Sequence, residues 1–156
     1  MSSVWRSLLL VAAGAPVAAA AGQQVRELGA QALVTASDPV LVVGGMWAGL
    51  RPSLRLRLGA TLAAGVAGRR AAGRGELVVH FLVNPAAATG LTPYLGGGVA
   101  GVVDSAGRGY LVALVGIEGR PGARAGWAVE LGVGGGARLA LAYRWRRLPA
   151  HGLPAR

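Results

Sequence analysis

The chain has 156 residues, enough for one domain, with 53% hydrophobic residues and a mean hydropathy of +0.50. It contains no cysteine, which excludes disulfides and thiolate metal sites. The net charge of +10 arises from 16 arginines and no lysine, but these are scattered through apolar segments without a basic helix, an aromatic stacking platform or a zinc motif, so nucleic acid is excluded as a partner class.

The first segment reads as a secretory signal. Arg6 precedes an apolar stretch from Leu8 to Val17, and the small residues Ala18 to Ala21 lead to Gly22, with Ala19 and Ala21 supplying an A-x-A ending. Pro16 interrupts the stretch, which is shorter than the ~20 residues of a membrane-spanning helix. The expected organisation is a signal peptide at 1–21, a domain at 22–146 and a C-terminal tail at 147–156 that holds His151.

Beyond Gly22 the pattern has period two. In Leu54, Arg55, Leu56, Arg57, Leu58, Gly59, Ala60, Thr61, Leu62, large apolar residues alternate with charged or small ones, and only a strand puts those sets on opposite faces. The same holds for Leu77, Val79, Phe81 and Val83 against Glu76, Val78, His80 and Leu82. It recurs for Trp127, Val129, Leu131 and Val133 against Ala128, Glu130, Gly132 and Gly134, and for Leu139, Leu141, Tyr143 and Trp145 against Arg138, Arg144 and Arg146. Turn-forming clusters divide the chain at 37–39, 51–52, 68–75, 84–93, 104–109, 119–126 and 134–136. Eight strands fit between them, at 24–36, 40–50, 53–66, 76–84, 93–103, 109–118, 126–134 and 136–146. These lengths approach the ~9 to 11 residues with which a tilted strand crosses a bilayer, and an even count lets all strands pair antiparallel. The predicted fold class is all-β, an antiparallel up-and-down transmembrane β-barrel of about eight strands.

Energetics orient the faces. An Arg facing lipid at mid-height costs ~2 to 4 kcal/mol, so the charged face belongs inside. The expected lumen charge network comprises Glu27, Arg55, Arg57, Glu76, Glu118, Glu130, Arg138 and Arg144, whose mutual pairing offsets the cost of burying them. Such an interior is plugged, since a barrel of about eight strands has room only for side chains or one small ligand. Arg69, Arg70 and Arg74, read as an outer loop, are candidates for contact with lipid phosphates. Trp127, Tyr143 and Trp145 are candidate interface aromatics.

Two other architectures compete. Residues 77–103 lack charged side chains and are long enough for a helical span, but Asn84, Pro85, Gly90, Pro93 and Gly96 to Gly98 would break that helix. A soluble periplasmic ligand-binding barrel or sandwich would instead turn the apolar face into a core, and alternation alone does not separate it from the membrane barrel.

At Thr92, Pro93, Tyr94, Leu95, Gly96, Gly97, Gly98, Val99, Ala100, Gly101 the chain resembles a recurring strand of the small outer-membrane β-barrel superfamily, the group that includes the transmembrane domain of outer membrane protein A. Leu141, Tyr143 and Trp145 are similar to the alternating terminal-strand residues by which the barrel-assembly machinery recognises its substrates, although the chain continues to Arg156. The resemblance implies a cell outer-membrane location, with membrane lipids and that machinery as partners.

Some barrels of this kind modify lipids, so a catalytic site has to be considered. His80 has the only histidine side chain within a predicted strand, with Glu76 or Glu118 as expected neighbours across the lumen, while Ser37, Ser53 and Ser105 fall in turns. No nucleophile and base are thereby brought together, and no metal or cofactor site is expected. The glycine runs 96–98 and 134–136 precede no helix and lack the Lys and Ser/Thr of a phosphate loop. The expected function is a closed, non-conducting, non-enzymatic barrel with a structural or interaction role.

Overall fold

The computed structural model describes residues 25–87 and 89–147. The expected signal peptide at 1–21, and the tail beyond Arg147 with His151, lie outside the described residues. Eight strands follow in chain order: β1 Val25–Ala36, β2 Leu41–Arg51, β3 Leu56–Ala67, β4 Arg70–Leu82, β5 Leu91–Val103, β6 Gly107–Gly119, β7 Ala125–Val133 and β8 Ala137–Arg147. Each pairs antiparallel with its sequence neighbours, and β1 also pairs with β8 from Arg26↔Arg147 to Ala36↔Ala137. The sheet is thus a closed barrel in which every strand is paired on both sides over at least part of its length.

Alternation fixes the register. On β8, Leu139, Leu141, Tyr143 and Trp145 point outward while Arg138, Arg144 and Arg146 are buried inside. A slip of one residue would exchange these sets. On β3, Leu56, Leu58 and Leu62 face out and Arg57 and Thr61 face in. Residues 77–103, the helical alternative, form the end of β4, the 83–90 connection and β5.

Most strand boundaries shift by one or two residues from expectation, and three of the differences bear on the interior or on the tail. β4 begins at Arg70, so 70–75 is strand and the turn shrinks to Gly68 and Arg69. Apart from Arg74 the residues Ala71 to Gly75 are alanine or glycine, a poor strand signal alone, yet they pair with Leu62 to Val66 on β3. β3 begins at Leu56, because Pro52 and Ser53 open a turn that runs through Arg55, where the Ser53 hydroxyl accepts a hydrogen bond from Leu56 N at 3.2 Å. β8 runs on to Arg147, the residue with which the tail was expected to begin. The start of β1 and the end of β8 share one rim with the connections 52–55, 83–90 and 120–124; the far rim carries 37–40, 68–69, 104–106 and 134–136. The last of these needs positive φ at Gly135 (85°) and Gly136 (144°), which glycine adopts without strain.

One glycine is required by packing. Gly116 on β6 lies opposite Tyr94 on β5, and a Cβ there would stand 2.4 Å from the tyrosine ring. Gly116→Val is expected to push Tyr94 out of its place and cost ~1 to 3 kcal/mol by overpacking. Near-UV circular dichroism of the tyrosine, together with denaturant titration, checks this; an unchanged spectrum and midpoint would show that the ring has another place to go.

Candidate functional site

The interior is a ladder of ion pairs along the barrel axis. At the rim where β1 starts and β8 ends, Arg51 Nε donates to Glu27 at 2.5 Å, and Glu118 accepts from Arg57 at 2.6 Å and from Arg51 and Arg146 at 3.3 Å each. One step inward Arg144 Nη2 meets Glu130 at 2.8 Å, and the Tyr94 hydroxyl donates to the same carboxylate at 2.9 Å. Arg138 links Glu130 at 3.3 Å to Glu76 at 3.0 Å. Arg74 closes the series toward the far rim, bonding Glu76 at 2.7 Å and the Gly134 carbonyl at 3.0 Å. Arg57 and Arg144 reach essentially zero exposure.

Aromatic rings separate the cations at mid-height. The Arg144 guanidinium lies 4.3 Å from the Trp47 ring centroid and that of Arg57 lies 4.7 Å from Tyr94. Arg57 Nε and Nη2, and Arg144 Nε and Nη1, have no hydrogen-bond acceptor, and these ring contacts give both guanidinium groups electrostatic compensation. Among the described residues, six lumen arginines (Arg51, Arg57, Arg74, Arg138, Arg144, Arg146) face four glutamates (Glu27, Glu76, Glu118, Glu130). Each glutamate is therefore shared between cations, and the packed side chains occupy the width of the lumen.

Most residues expected in the lumen network meet there: Glu27, Arg57, Glu76, Glu118, Glu130, Arg138 and Arg144. Arg55 does not. It lies exposed in the 52–55 turn, because the strand starts one residue later and alternation continues into the turn without marking its end. Arg74, expected in an outer loop facing phosphates, is instead buried in the lumen: it lies on β4 with the parity of Glu76. Arg69 and Arg70 are exposed at the far rim, where Arg70 donates to the Ser105 hydroxyl at 3.3 Å. Asp104 pairs with Arg108 on this rim, and the Ala106 N–H, aided by Arg108, holds its carboxyl below the ordinary carboxylate range. Trp127, Tyr143 and Trp145 stand on the outer surface, the last two edge to face at 5.1 Å.

Trp47, Arg51 and Tyr94 belong to the interior network without having been expected there. On β2 both faces are apolar or small, so no charge contrast marks the side on which Trp47 lies; counting every second residue from Leu41 would have found it. His80 faces Glu130 at 3.5 Å, not Glu76 or Glu118, and packs edge to face on Tyr94. Ser37, Ser53 and Ser105 lie in connections at the barrel ends. Among the described residues no cluster of three or more His, Asp or Glu is arranged to hold a metal ion.

The closed antiparallel barrel of eight strands matches known outer-membrane barrel folds. The N-terminal β-barrel domain of OprF from Pseudomonas aeruginosa has a TM-score of 0.63 at 13% identity, covering 81% of this chain and 99% of that one. Neisserial surface protein A gives 0.55 at 12% identity over 78% and 96% of the two chains. The de novo designed TMB2.3 gives 0.54 at 16% identity over 81% and 96%. No family model and no curated protein matches the sequence.

Proposed function

We propose that this chain is an exported, non-enzymatic barrel of the cell outer membrane, closed to ions, with a structural or interaction role. The observation that carries the reading is an inside-out distribution of polarity. Large apolar residues stand exposed around the wall, Leu62 at 76% and Leu111 at 82%, while four of the six carboxylate side chains and five arginines are buried within. In water such a belt would far exceed the few hundred Å² of apolar patch that a soluble monomer exposes. In a bilayer it is the lipid-facing surface. This also disfavours a soluble periplasmic barrel, whose apolar face would be turned inward.

The parts then take these roles. The network of Glu27, Arg57, Glu76, Glu118, Glu130, Arg138 and Arg144 plugs the lumen and fixes the register. Trp127, Tyr143 and Trp145 sit at a membrane interface, and Arg69 and Arg70 meet headgroup phosphates at the far rim. The outer-membrane lipids are the standing partners, and the barrel-assembly machinery is the partner during biogenesis, reading Leu141, Tyr143 and Trp145.

The full chain is expected to float with lipid vesicles, to migrate differently on gels before and after heating, and to produce no conductance steps in planar bilayers. Recovery in the soluble periplasmic fraction would overturn the membrane placement. Steady single-channel steps would overturn the closed lumen.

A further inference from the structure

The rim where β1 starts and β8 ends has a charge imbalance that no carboxylate among the described residues neutralises. Arg26 on β1 and Arg147 on β8 are direct register partners, both exposed and both outward-facing. Arg124, also exposed, lies one strand further on, where its carbonyl accepts the Arg146 N–H at 2.7 Å. Like charges placed opposite one another across two strands repel. All six carboxylate side chains of the sequence lie elsewhere: Glu27, Glu76, Glu118 and Glu130 turn into the lumen, and Asp38 and Asp104 lie at the far rim. Among the described residues no carboxylate relieves this repulsion, which leaves the pair open to an anion from outside the barrel.

Two further features say what carries that anion. The outward aromatics Phe81, Trp127, Tyr143 and Trp145 all lie toward this same rim, and Trp145 stands two residues from Arg147 on the same face. Tyr and Trp concentrate at headgroup depth, so the arginines beyond them stand at phosphate depth. A groove of about 820 Å³ runs down the outer wall from this point, with Arg26, Arg147 and Trp145 at its mouth and Leu28, Ala48 and Leu58 along it. Glu27 borders the groove but directs its carboxylate to Arg51. The guanidinium groups match phosphate oxygens in geometry, and the apolar length below them matches an acyl chain.

We infer that Arg26 and Arg147 form a seat for one anionic glycerophospholipid, its phosphate held between them and an acyl chain in the groove below. The inference rests on the membrane reading above. The full chain is reconstituted in vesicles in which the brominated acyl chains are carried either by phosphatidylglycerol or by phosphatidylcholine at equal mole fraction, and quenching of tryptophan fluorescence is compared. Brominated phosphatidylglycerol is expected to quench more strongly, with a preference of about five-fold for each arginine at low salt. R26Q/R147Q is expected to abolish the preference, and R26K/R147K to keep part of it. Neither side chain makes a hydrogen bond within the described residues, so folding is expected to be unaffected, which flotation and heat-dependent mobility verify. Equal quenching by both lipids in a protein that does float would overturn the seat while leaving the membrane reading intact. Loss of the preference on adding inorganic phosphate would assign the arginines to free phosphate and overturn the lipid assignment. Failure to float would overturn both readings.

Discussion

Glu130→Gln is expected to lower the unfolding free energy by ~3 to 5 kcal/mol, the range for removing one partner from a buried ion pair. Glu130 receives Arg144 at 2.8 Å, the Tyr94 hydroxyl at 2.9 Å and Arg138 at 3.3 Å, with His80 at 3.5 Å. Glutamine keeps one acceptor oxygen but removes the charge, leaving six lumen arginines against three glutamates. Arg138 retains Glu76 at 3.0 Å, whereas Arg144 keeps Glu118 at 3.7 Å as its one carboxylate, beside the neutral Tyr94 hydroxyl at 3.4 Å. The damage should therefore centre on Arg144. Removing both charges in E130Q/R144M should recover part of the loss, because an uncharged side chain of similar length leaves no buried cation unpaired. Asp104→Asn, which touches a rim pair whose Arg108 is exposed, should leave the midpoint nearly unchanged. Guanidinium titration of the reconstituted barrel, followed by gel mobility, measures all three. Equal midpoints for E130Q and the parent would mean that the lumen is wet enough to screen its own charges.

How far the sequence reaches into this fold follows from where polarity contrasts with size. Strands β3, β7 and β8 alternate large apolar residues with arginine, glutamate or glycine, and their faces can be read at once from Leu56 to Leu62 and from Arg138 to Arg146. Contrast fails at both ends of the scale. β4 opens with Arg70, Ala71, Ala72, Gly73, Arg74, Gly75, a run that resembles a turn because small residues carry little strand preference. Its strand character comes from neighbours β3 and β5, which a local pattern does not contain. Arg74 is consequently misread as a surface cation, although its spacing from Glu76 already puts the two on one face. Arg55 is the opposite case, since alternation persists from Leu54 while the backbone has left the sheet. The lumen charges follow from parity, but their partners depend on cross-barrel distances that closure alone sets. His80 meeting Glu130 from β7, and Tyr94 bridging to Arg144, belong to that second kind.

Leu62→Arg is the substitution whose outcome separates a lipid-facing wall from a wetted one. Leu62 sits near the middle of β3, points outward and is 76% exposed, with Met46 and Gly75 as register neighbours. In water an arginine there would touch nothing and change stability by no more than ~0.5 kcal/mol. Against hydrocarbon it should cost ~2 to 4 kcal/mol, and the cost should fall to ~0 to 1 kcal/mol for the same change near a rim. Val103→Arg supplies that comparison, since Val103 ends β5 and is likewise outward and 68% exposed. The depth gradient carries the information, because strand propensity, helix formation and net charge respond similarly at the two sites while hydrocarbon thickness does not. Unfolding in vesicles should show a large deficit for L62R and a small one for V103R, and the same pair compared in detergent micelles should keep the order with a reduced gap. Equal and small effects at both positions in vesicles would mean that the apolar belt meets water or another protein surface, and the inside-out distribution of charge would then need a different explanation.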